Sequence, residues 1–217
     1  MGALRGALSF TRFFVRGELP DDFRERTLRA IKLRRFEPLT PEDEESERSG
    51  WCVIDRLFDL DFDHEKVFYN SYLNLGFRVD SWRVPAALLK AQLAEAEEEL
   101  RVKKGLNRLG RAQKADLKQR ITVRLRRRTL PSSRSYDVSW NLETGVLLFW
   151  SHSKRLIEEL TVQFEKTFSL QLVPESPFMA AVECGLTDEQ LSRLRGVEET
   201  AFFARSAGSS ELLTERG

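Results

Sequence analysis

The sequence is short of the residues that most catalytic and metal-binding motifs require. It has only two cysteines, Cys52 and Cys184, which are far apart and form no C-x-x-C pair. This spacing argues against a zinc ribbon or a redox motif and fits a reducing compartment. The two histidines, His64 and His152, have no ligand-like spacing to each other or to a cysteine. We therefore expect both histidines to be structural.

Motifs for nucleophilic catalysis and for cradling phosphate are missing as well. The chain contains no G-x-S-x-G, no G-x-x-x-x-G-K-[ST] and no H-E-x-x-H. We therefore expect a protein that is not an enzyme and that has no cofactor and no bound metal.

The sequence also lacks any apolar run near the roughly 20 residues that cross a bilayer. Its first sixteen residues carry Arg5, Arg12 and Arg16 and no acid, but Leu8 and Phe10 indicate a strand rather than a leader. We expect a cytoplasmic protein with no membrane association.

The 217 residues, 41% of them hydrophobic, are enough for one domain with a real core. Apolar periodicity and turn residues predict strands near residues 7–15, 51–54, 66–69, 72–79, 135–142, 146–150 and 168–173. Helices are predicted to begin near Asp21, Pro85, Gly110, Ser153 and Thr187. The fold class is therefore α+β, a mostly antiparallel sheet with packed helices. We assign residues 1–180 to this domain and residues 181–217 to a short helix and a flexible C-terminal tail.

A long helical pair at about residues 85–130 is predicted as an insertion in the domain. Apolar residues recur at helical spacing in its first helix, at Leu89, Leu93, Ala96 and Leu100. A helix of about 20 residues is about 30 Å long. We therefore expect the pair either to project from the sheet or to span it.

Charge is strongly polarised along the chain, although the formal net charge is only +1. Residues 101–134 contain thirteen Lys or Arg and one acid, a local net charge of +12, whereas residues 37–65 contain eleven acids and two arginines, a local net charge of −9. The acidic segment includes an acidic loop, Glu42–Glu47. Our candidate DNA-binding residues are Lys103, Lys104, Arg108, Arg111, Lys114, Lys118, Arg120, Arg124, Arg126, Arg127 and Arg128.

Three interpretations of the basic segment stay open. It is a solvated helix face paired with the acidic loop of the same chain, a surface for nucleic acid, or a protein-interaction module that meets an acidic partner such as the loop of a second copy. No element that reads base sequence is evident. Binding to DNA would therefore rest on backbone contacts and depend strongly on salt.

Two further features have a functional and a structural interpretation. Asp59-x-Asp61-x-Asp63 resembles the start of a calcium loop or the carboxylate cluster of a metal-dependent nuclease, but His64 and Asn70 stand where a calcium loop needs Gly and Glu. We favour a solvated loop. The aromatic residues Trp140, Phe149 and Trp150 of the predicted hairpin could stack on unpaired bases, but we favour core packing.

The order of these elements resembles that of the RdgC (recombination-associated protein) family. The resemblance covers roughly residues 5–180. It rests on Ser9-Phe10-Thr11-Arg12-Phe13, Gly50-Trp51, Val84-Pro85, Lys114-Ala115-Asp116-Leu117-Lys118, Leu130-Pro131-Ser132, Trp140, Gly145, Leu172-Val173-Pro174 and Ser176-Pro177.

The resemblance implies a nucleoid-associated protein that binds DNA with little sequence preference and restrains strand exchange promoted by RecA. Double-stranded DNA is the implied ligand, and single-stranded DNA is an open alternative. The family forms a ring-like homodimer around a basic hole, which the candidate residues would line. Typical members continue further beyond Ser176-Pro177 than this sequence does, so an open dimer or a monomer that clamps one side of DNA stays an alternative to the closed ring.

Overall fold

The computed structural model describes residues 2–3, 9–105 and 107–197. The chain divides after Pro174 into two compact units. The strands are β1 (Thr11–Arg16), β2 (Glu47–Cys52), β3 (Phe68–Tyr69), β4 (Tyr72–Ser81), β5 (Ser132–Asn141), β6 (Val146–Phe149) and β7 (Gln171–Pro174). The helices are α1 (Phe23–Leu33), α2 (His64–Val67), α3 (Ala86–Lys104), α4 (Arg111–Arg126), α5 (Lys154–Phe168), α6 (Pro177–Glu183) and α7 (Asp188–Arg195).

The seven strands form one sheet in the order β2-β4-β5-β6-β1-β7, and β3 pairs with the start of β4. Every strand pair is antiparallel. The longest pair, β4 with β5, runs from Tyr72 opposite Asn141 to Ser81 opposite Ser132. The α3–α4 pair connects these two strands, so the predicted α+β fold with an inserted helical pair is confirmed.

One face of the sheet carries the hydrophobic core. Trp51, Phe77, Trp140 and Phe149 are almost completely buried there, and helix α5 contributes Phe164 to the same cluster. Trp140 meets Phe164 edge-on, with ring centroids 5.3 Å apart. Such aromatic pairs add to the stabilisation that burial of apolar area already gives.

Several predicted boundaries need correction. Strand β1 ends at Arg16, and Ala7 and Leu8 of the predicted first strand lie outside the described residues. The strand predicted at 51–54 is β2, which ends at Cys52 because the chain turns soon afterwards at Asp55, where φ is +57°. Lys66 belongs to the short helix α2 rather than to a strand.

The predicted strand 168–173 begins too early. Phe168 is the last residue of α5, where it packs against Phe164 at a centroid distance of 4.7 Å. Ser169 then ends the helix with a φ of +58°. Strand β7 starts only at Gln171.

The described part of the second unit consists of two short helices. Helix α7 begins as predicted, because Thr187 and Gln190 form a reciprocal capping box. Helix α6 was not predicted. The Ser176 hydroxyl caps this helix by accepting a hydrogen bond from the backbone N–H of Met179 at 3.1 Å. The dipeptide Ser176-Pro177 is a sequence signal for such a helix start. Among the helices in the described ranges, none is long and apolar enough to span a membrane.

Candidate nucleic-acid interface

The α3–α4 pair is defined by local end signals. Pro85 immediately precedes α3, and Gly105 ends it in the left-handed region, with a φ of +60°. Gly110 precedes α4, and its N–H donates to the Gln113 side chain at 3.0 Å. These signals fix two helices of 19 and 16 residues with a short break between them.

The pair packs mainly on itself. No residue of α3 is buried, and its apolar stripe, which includes Leu93 and Leu100, is only half-buried. Lys114 of α4 forms an ion pair with Glu97 of α3 at 2.8 Å. Helix α4 buries Ile121 and Leu125 near its C-terminal end. Most of the surface of the pair is therefore left for charged side chains.

Four of the eleven candidate residues have partners within the chain. Lys114 pairs with Glu97, and Arg120 pairs with Asp116 at 2.8 Å. Arg126 and Arg127 contact the acidic loop. The other seven are exposed, and their side chains have no hydrogen bond or ion pair with any residue in the described ranges: Lys103, Lys104, Arg108, Arg111, Lys118, Arg124 and Arg128.

One set of candidates lines a single shallow groove on α4, which we call the arginine groove. Arg120, Arg124, Arg127 and Arg128 line it together with Asp116, Gln119 and Val123. Arg120 and Arg124 lie one above the other because residues four apart share a helix face. Asp116 and the acidic loop offset the charges of Arg120 and Arg127, so Arg124 and Arg128 give the groove a net positive charge that suits a polyanion.

The remaining candidates do not lie in this groove. Lys103 and Lys104 are at the end of α3, Arg108 is in the break, and Arg111 is at the start of α4. Lys118 lines a different groove, which is described with the acidic loop below. The structure therefore distributes the cations over several sides of the pair.

The acidic loop lies directly against α4. Arg127 donates from Nε and Nη2 to Oε1 of Glu42, at 2.9 and 2.6 Å. This hydrogen bond keeps the pKa of Glu42 below its ordinary value. Arg126 donates to the backbone carbonyl of Asp43 at 2.5 Å. The sequence interpretation in which the acidic loop of the same chain meets the basic helix is thus correct for these two arginines.

A second groove lies between the acidic loop and α4, and we call it the loop groove. Its loop wall is formed by Glu42, Asp43 and Glu44. Its helix wall includes Lys118 and the buried Arg126, which is only 6% exposed. Carboxylates and cations therefore face each other across this groove.

The three aspartates of the predicted metal cluster surround a lysine. The ammonium of Lys66 lies 3.2 Å from Asp59, 3.7 Å from Asp61 and 3.8 Å from Asp63. A hydrogen bond from the backbone N–H of Asp61 is the largest cause that lowers the pKa of Asp59. In the described part of the chain, no group of three or more His, Cys, Asp or Glu side chains could hold a metal ion. Lys66 supplies the positive charge that these carboxylates require.

The aromatic residues of the β5–β6 hairpin are part of the core. Trp140 is 1% exposed, Phe149 is fully buried and Trp150 is 8% exposed. Their rings are thus inaccessible to a base, so the stacking interpretation is wrong and the core interpretation is confirmed. The histidines contact neighbouring side chains, His64 with the Phe68 ring and His152 with Ser9 and Thr11.

Sequence reasoning left the contact of the acidic loop with α4 as one of three alternatives, and it missed the contact of Lys66 with the aspartates. The contact of Glu42 with Arg127 joins residues 85 positions apart, and no local signal predicts it. The position of Lys66 beside the aspartates was predictable from a local signal. Lys66 stands three residues after Asp63, and a residue at that position donates its backbone N–H to the side chain that caps the helix.

Comparison with known protein families gives a match. A family model described as "Putative exonuclease, RdgC" matches residues 25–187, three quarters of the chain. This range includes the acidic loop and the whole α3–α4 pair. No curated protein matches the chain.

Proposed function

The chain belongs to the RdgC family, and on that premise we propose that it binds DNA without sequence preference and acts in recombination or replication. The observation that carries the proposal is the arginine groove, where Arg120, Arg124, Arg127 and Arg128 lie together at the C-terminal end of α4. Guanidinium groups bind phosphate oxygens through paired hydrogen bonds. Contacts of this kind position a protein on DNA but read no base sequence.

Arg124 and Arg128 are the groove residues that test the proposal best. Both are exposed and have no partner among the residues that the structure describes, so their replacement disturbs no contact. The matched control is Arg29→Ala with Lys32→Ala on the exposed side of α1, which removes the same charge. Arg29 forms only an exposed ion pair with Glu25.

Fluorescence anisotropy with two unrelated duplexes and a single strand, at several salt concentrations, measures the binding. We expect similar dissociation constants for the two duplexes and a steep salt dependence. Each lost phosphate contact lowers the slope of log K against log salt by about 0.9. The slope of log K against log salt should therefore be about 2 smaller in magnitude for the Arg124→Ala, Arg128→Ala variant, whereas the slope for the control should change little. If neither duplex nor single strand binds at low salt, the proposal is wrong.

We further propose that the bound protein restrains RecA-promoted strand exchange, as the family resemblance implies. Coverage of the DNA would deny RecA its substrate. A strand-exchange reaction with rising amounts of protein tests this effect. We expect inhibition near the concentration that covers the DNA, and no inhibition by the Arg124→Ala, Arg128→Ala variant. Equal inhibition by the wild type and the variant would show that inhibition of strand exchange does not depend on DNA binding by these arginines.

The proposal also includes binding without cleavage. The three aspartates that resemble a nuclease cluster, Asp59, Asp61 and Asp63, all form ion pairs with Lys66. End-labelled duplex incubated with magnesium or manganese should stay intact. Shortening of the labelled strands would instead support the exonuclease named in the family description.

A protein-interaction module is the second candidate, because Arg127 already binds a carboxylate of the acidic loop. An acidic loop of a second copy would present the same chemistry and would support the homodimer that the family resemblance implies. Light scattering of the Arg124→Glu, Arg128→Glu variant distinguishes the two functions. Loss of DNA binding with an unchanged mass favours DNA. A fall in mass with DNA binding intact favours the interaction module.

A further inference from the structure

We propose that the acidic loop is a built-in competitor of DNA, which occupies one end of the arginine groove until phosphate displaces it. This inference rests on the proposed DNA binding and adds regulation of the same site. It concerns Glu42 above all, because that carboxylate holds Arg127, one of the four groove arginines.

The contact of Arg127 with Glu42 uses the donors that a phosphate would use. Nε and Nη2 both donate to one carboxylate oxygen. Paired donors of a guanidinium bind carboxylate and phosphate oxygens alike. Arg127 therefore cannot pair with Glu42 and with DNA at the same time.

The loop is held in position by residues other than Glu42. Arg48 forms ion pairs with Asp43 at 3.3 Å and with Glu45 at 3.4 Å. Asp43 also accepts the backbone N–H of Thr40 at 2.7 Å. Loss of the Glu42 contact would thus leave the loop folded and still close to α4.

Arg126 shows that α4 needs a negative partner at this place. Its side chain is buried, donates to the carbonyl of Asp43, and leaves Nε without a hydrogen-bond partner in the described ranges. A buried guanidinium is costly unless negative charge lies nearby. Glu42 and Glu44 line the loop groove together with Arg126.

The competing contact is weak enough to be displaced. The side chains of Arg127 and Glu42 are 64% and 52% exposed, and exposed ion pairs are usually weak. A partner that presents a single carboxylate gains little binding free energy when that carboxylate replaces Glu42 at Arg127. A strand of closely spaced phosphates gains several contacts at once. The loop would therefore favour DNA over less densely charged partners, which is selection against competitors.

The test is Glu42→Gln, which keeps the shape of the side chain and removes its charge. The control is Glu25→Gln on α1, which changes the net charge equally and also removes one exposed ion pair, with Arg29. Duplex binding is measured by anisotropy over a salt series. We expect Glu42→Gln to bind about two- to fivefold tighter, the effect of one exposed ion pair. Its salt slope should stay close to that of the wild type, because phosphate displaces Glu42 in the wild type and Arg127 then contacts DNA in both proteins. Glu25→Gln should change the affinity little.

Arg127 provides the second half of the test. In an Arg127→Ala background the Glu42→Gln change should have no effect, because the two residues then no longer interact. An unchanged thermal midpoint of each variant checks that folding is intact. Equal effects of Glu42→Gln and Glu25→Gln would overturn the inference, because they would reflect net charge alone.

Weaker binding by Glu42→Gln would also overturn the inference, because Glu42 would then position Arg127 for DNA. The outcome for the wild-type protein separates the two proposals. If it binds duplex and Glu42→Gln matches it in affinity, only the competitor proposal fails. If neither protein binds duplex or single strand at low salt, the proposed function fails as well.

Discussion

The sheet and the α3–α4 pair use their residues in opposite ways. In the sheet, Trp51, Phe77 and Trp140 are buried in one cluster, whereas no residue of α3 is buried at all. A side chain in the cluster makes many contacts, and its size and shape are fixed by its neighbours. The surface of the pair is free to carry charge instead. The comparison teaches that stability resides in the sheet and that the pair can hold repelling cations at little cost to the fold.

The largest expected effect is the loss of a core side chain. Phe77→Ala should lower the free energy of unfolding by about 3–5 kcal/mol, because Phe77 is fully buried between Trp51 and Phe149. Urea denaturation followed by tryptophan fluorescence measures this loss. The matched change in the pair is Leu93→Ala, whose side chain is only half-buried. It should cost about 1 kcal/mol or less, since little apolar area is lost.

Equal losses from Phe77→Ala and Leu93→Ala would break the comparison. The pair would then contribute as much to stability as the sheet does.

A glycine in each region gives the next largest effect. Gly50→Ala would place a Cβ 2.6 Å from Cα of Phe36, so the backbone must shift. We expect a loss of about 1–3 kcal/mol, as for other overpacked sites. At Gly110 the nearest atom to a new Cβ is 3.8 Å away, and φ is −70°. Gly110→Ala should therefore cost about 1 kcal/mol at most, as a less favourable cap. Thermal melts of the two variants compare them, and a larger loss at Gly110 would contradict the assignment of tight packing to β2.

Local signals made the pair easy to predict from sequence. Pro85, Gly105 and Gly110 mark its helix ends, and the apolar stripe of α3 has an unmistakable spacing. The β5–β6 hairpin was predicted for the same reason, since Gly145 adopts the positive φ of +69° that its turn needs. In each case one or a few adjacent residues decide the structure.

The order of the strands and the location of the acidic loop were not predictable in this way. Strand β1 pairs with β6 and β7, far along the chain, and Glu42 meets Arg127 across 85 positions. Such contacts depend on how the whole domain packs. The candidate cations were therefore identified as residues, but their division between the arginine groove, the loop groove and the ends of the helices came only from the structure.

A moderate effect is expected where Lys66 holds three carboxylates of the first unit. Lys66→Met should lower the free energy of unfolding, because the three carboxylates then repel one another. The loss should be modest, since Lys66 is partly exposed. Urea denaturation measures this loss. Lys32→Met on α1 is the control and should change the free energy of unfolding little. An equal loss in both variants would contradict the role of Lys66.

The same carboxylates predict how stability changes with acid. The pKa of Asp59 is lowered from its ordinary value of 3.8. The stabilisation that ionised Asp59 contributes to the folded state is therefore complete above about pH 4. It is lost as the pH falls through the lower pKa that Asp59 has in the folded protein. Lys66→Met removes two causes of this lowered pKa, while the largest single cause, the hydrogen bond from the backbone N–H of Asp61, stays. The variant and the wild type should thus converge in stability at strongly acidic pH. A constant difference down to pH 2 would contradict this account.

The smallest expected effect is on the reactivity of a buried thiol, which reports how often the sheet opens in the unmodified protein. Cys52 is fully buried in β2, and burial raises the pKa of its thiol to about 11, whereas Cys184 is exposed. Because the thiolate is the reactive form, a maleimide at pH 7.5 should label Cys184 quickly and Cys52 only when the sheet opens. Mass spectrometry should find one label on the native protein and two in guanidinium. Leu93→Ala should leave the slow rate at Cys52 unchanged, since α3 shares no core with β2, whereas Gly50→Ala should raise it. An equal rise in both variants would show that opening of the helical pair also opens the sheet.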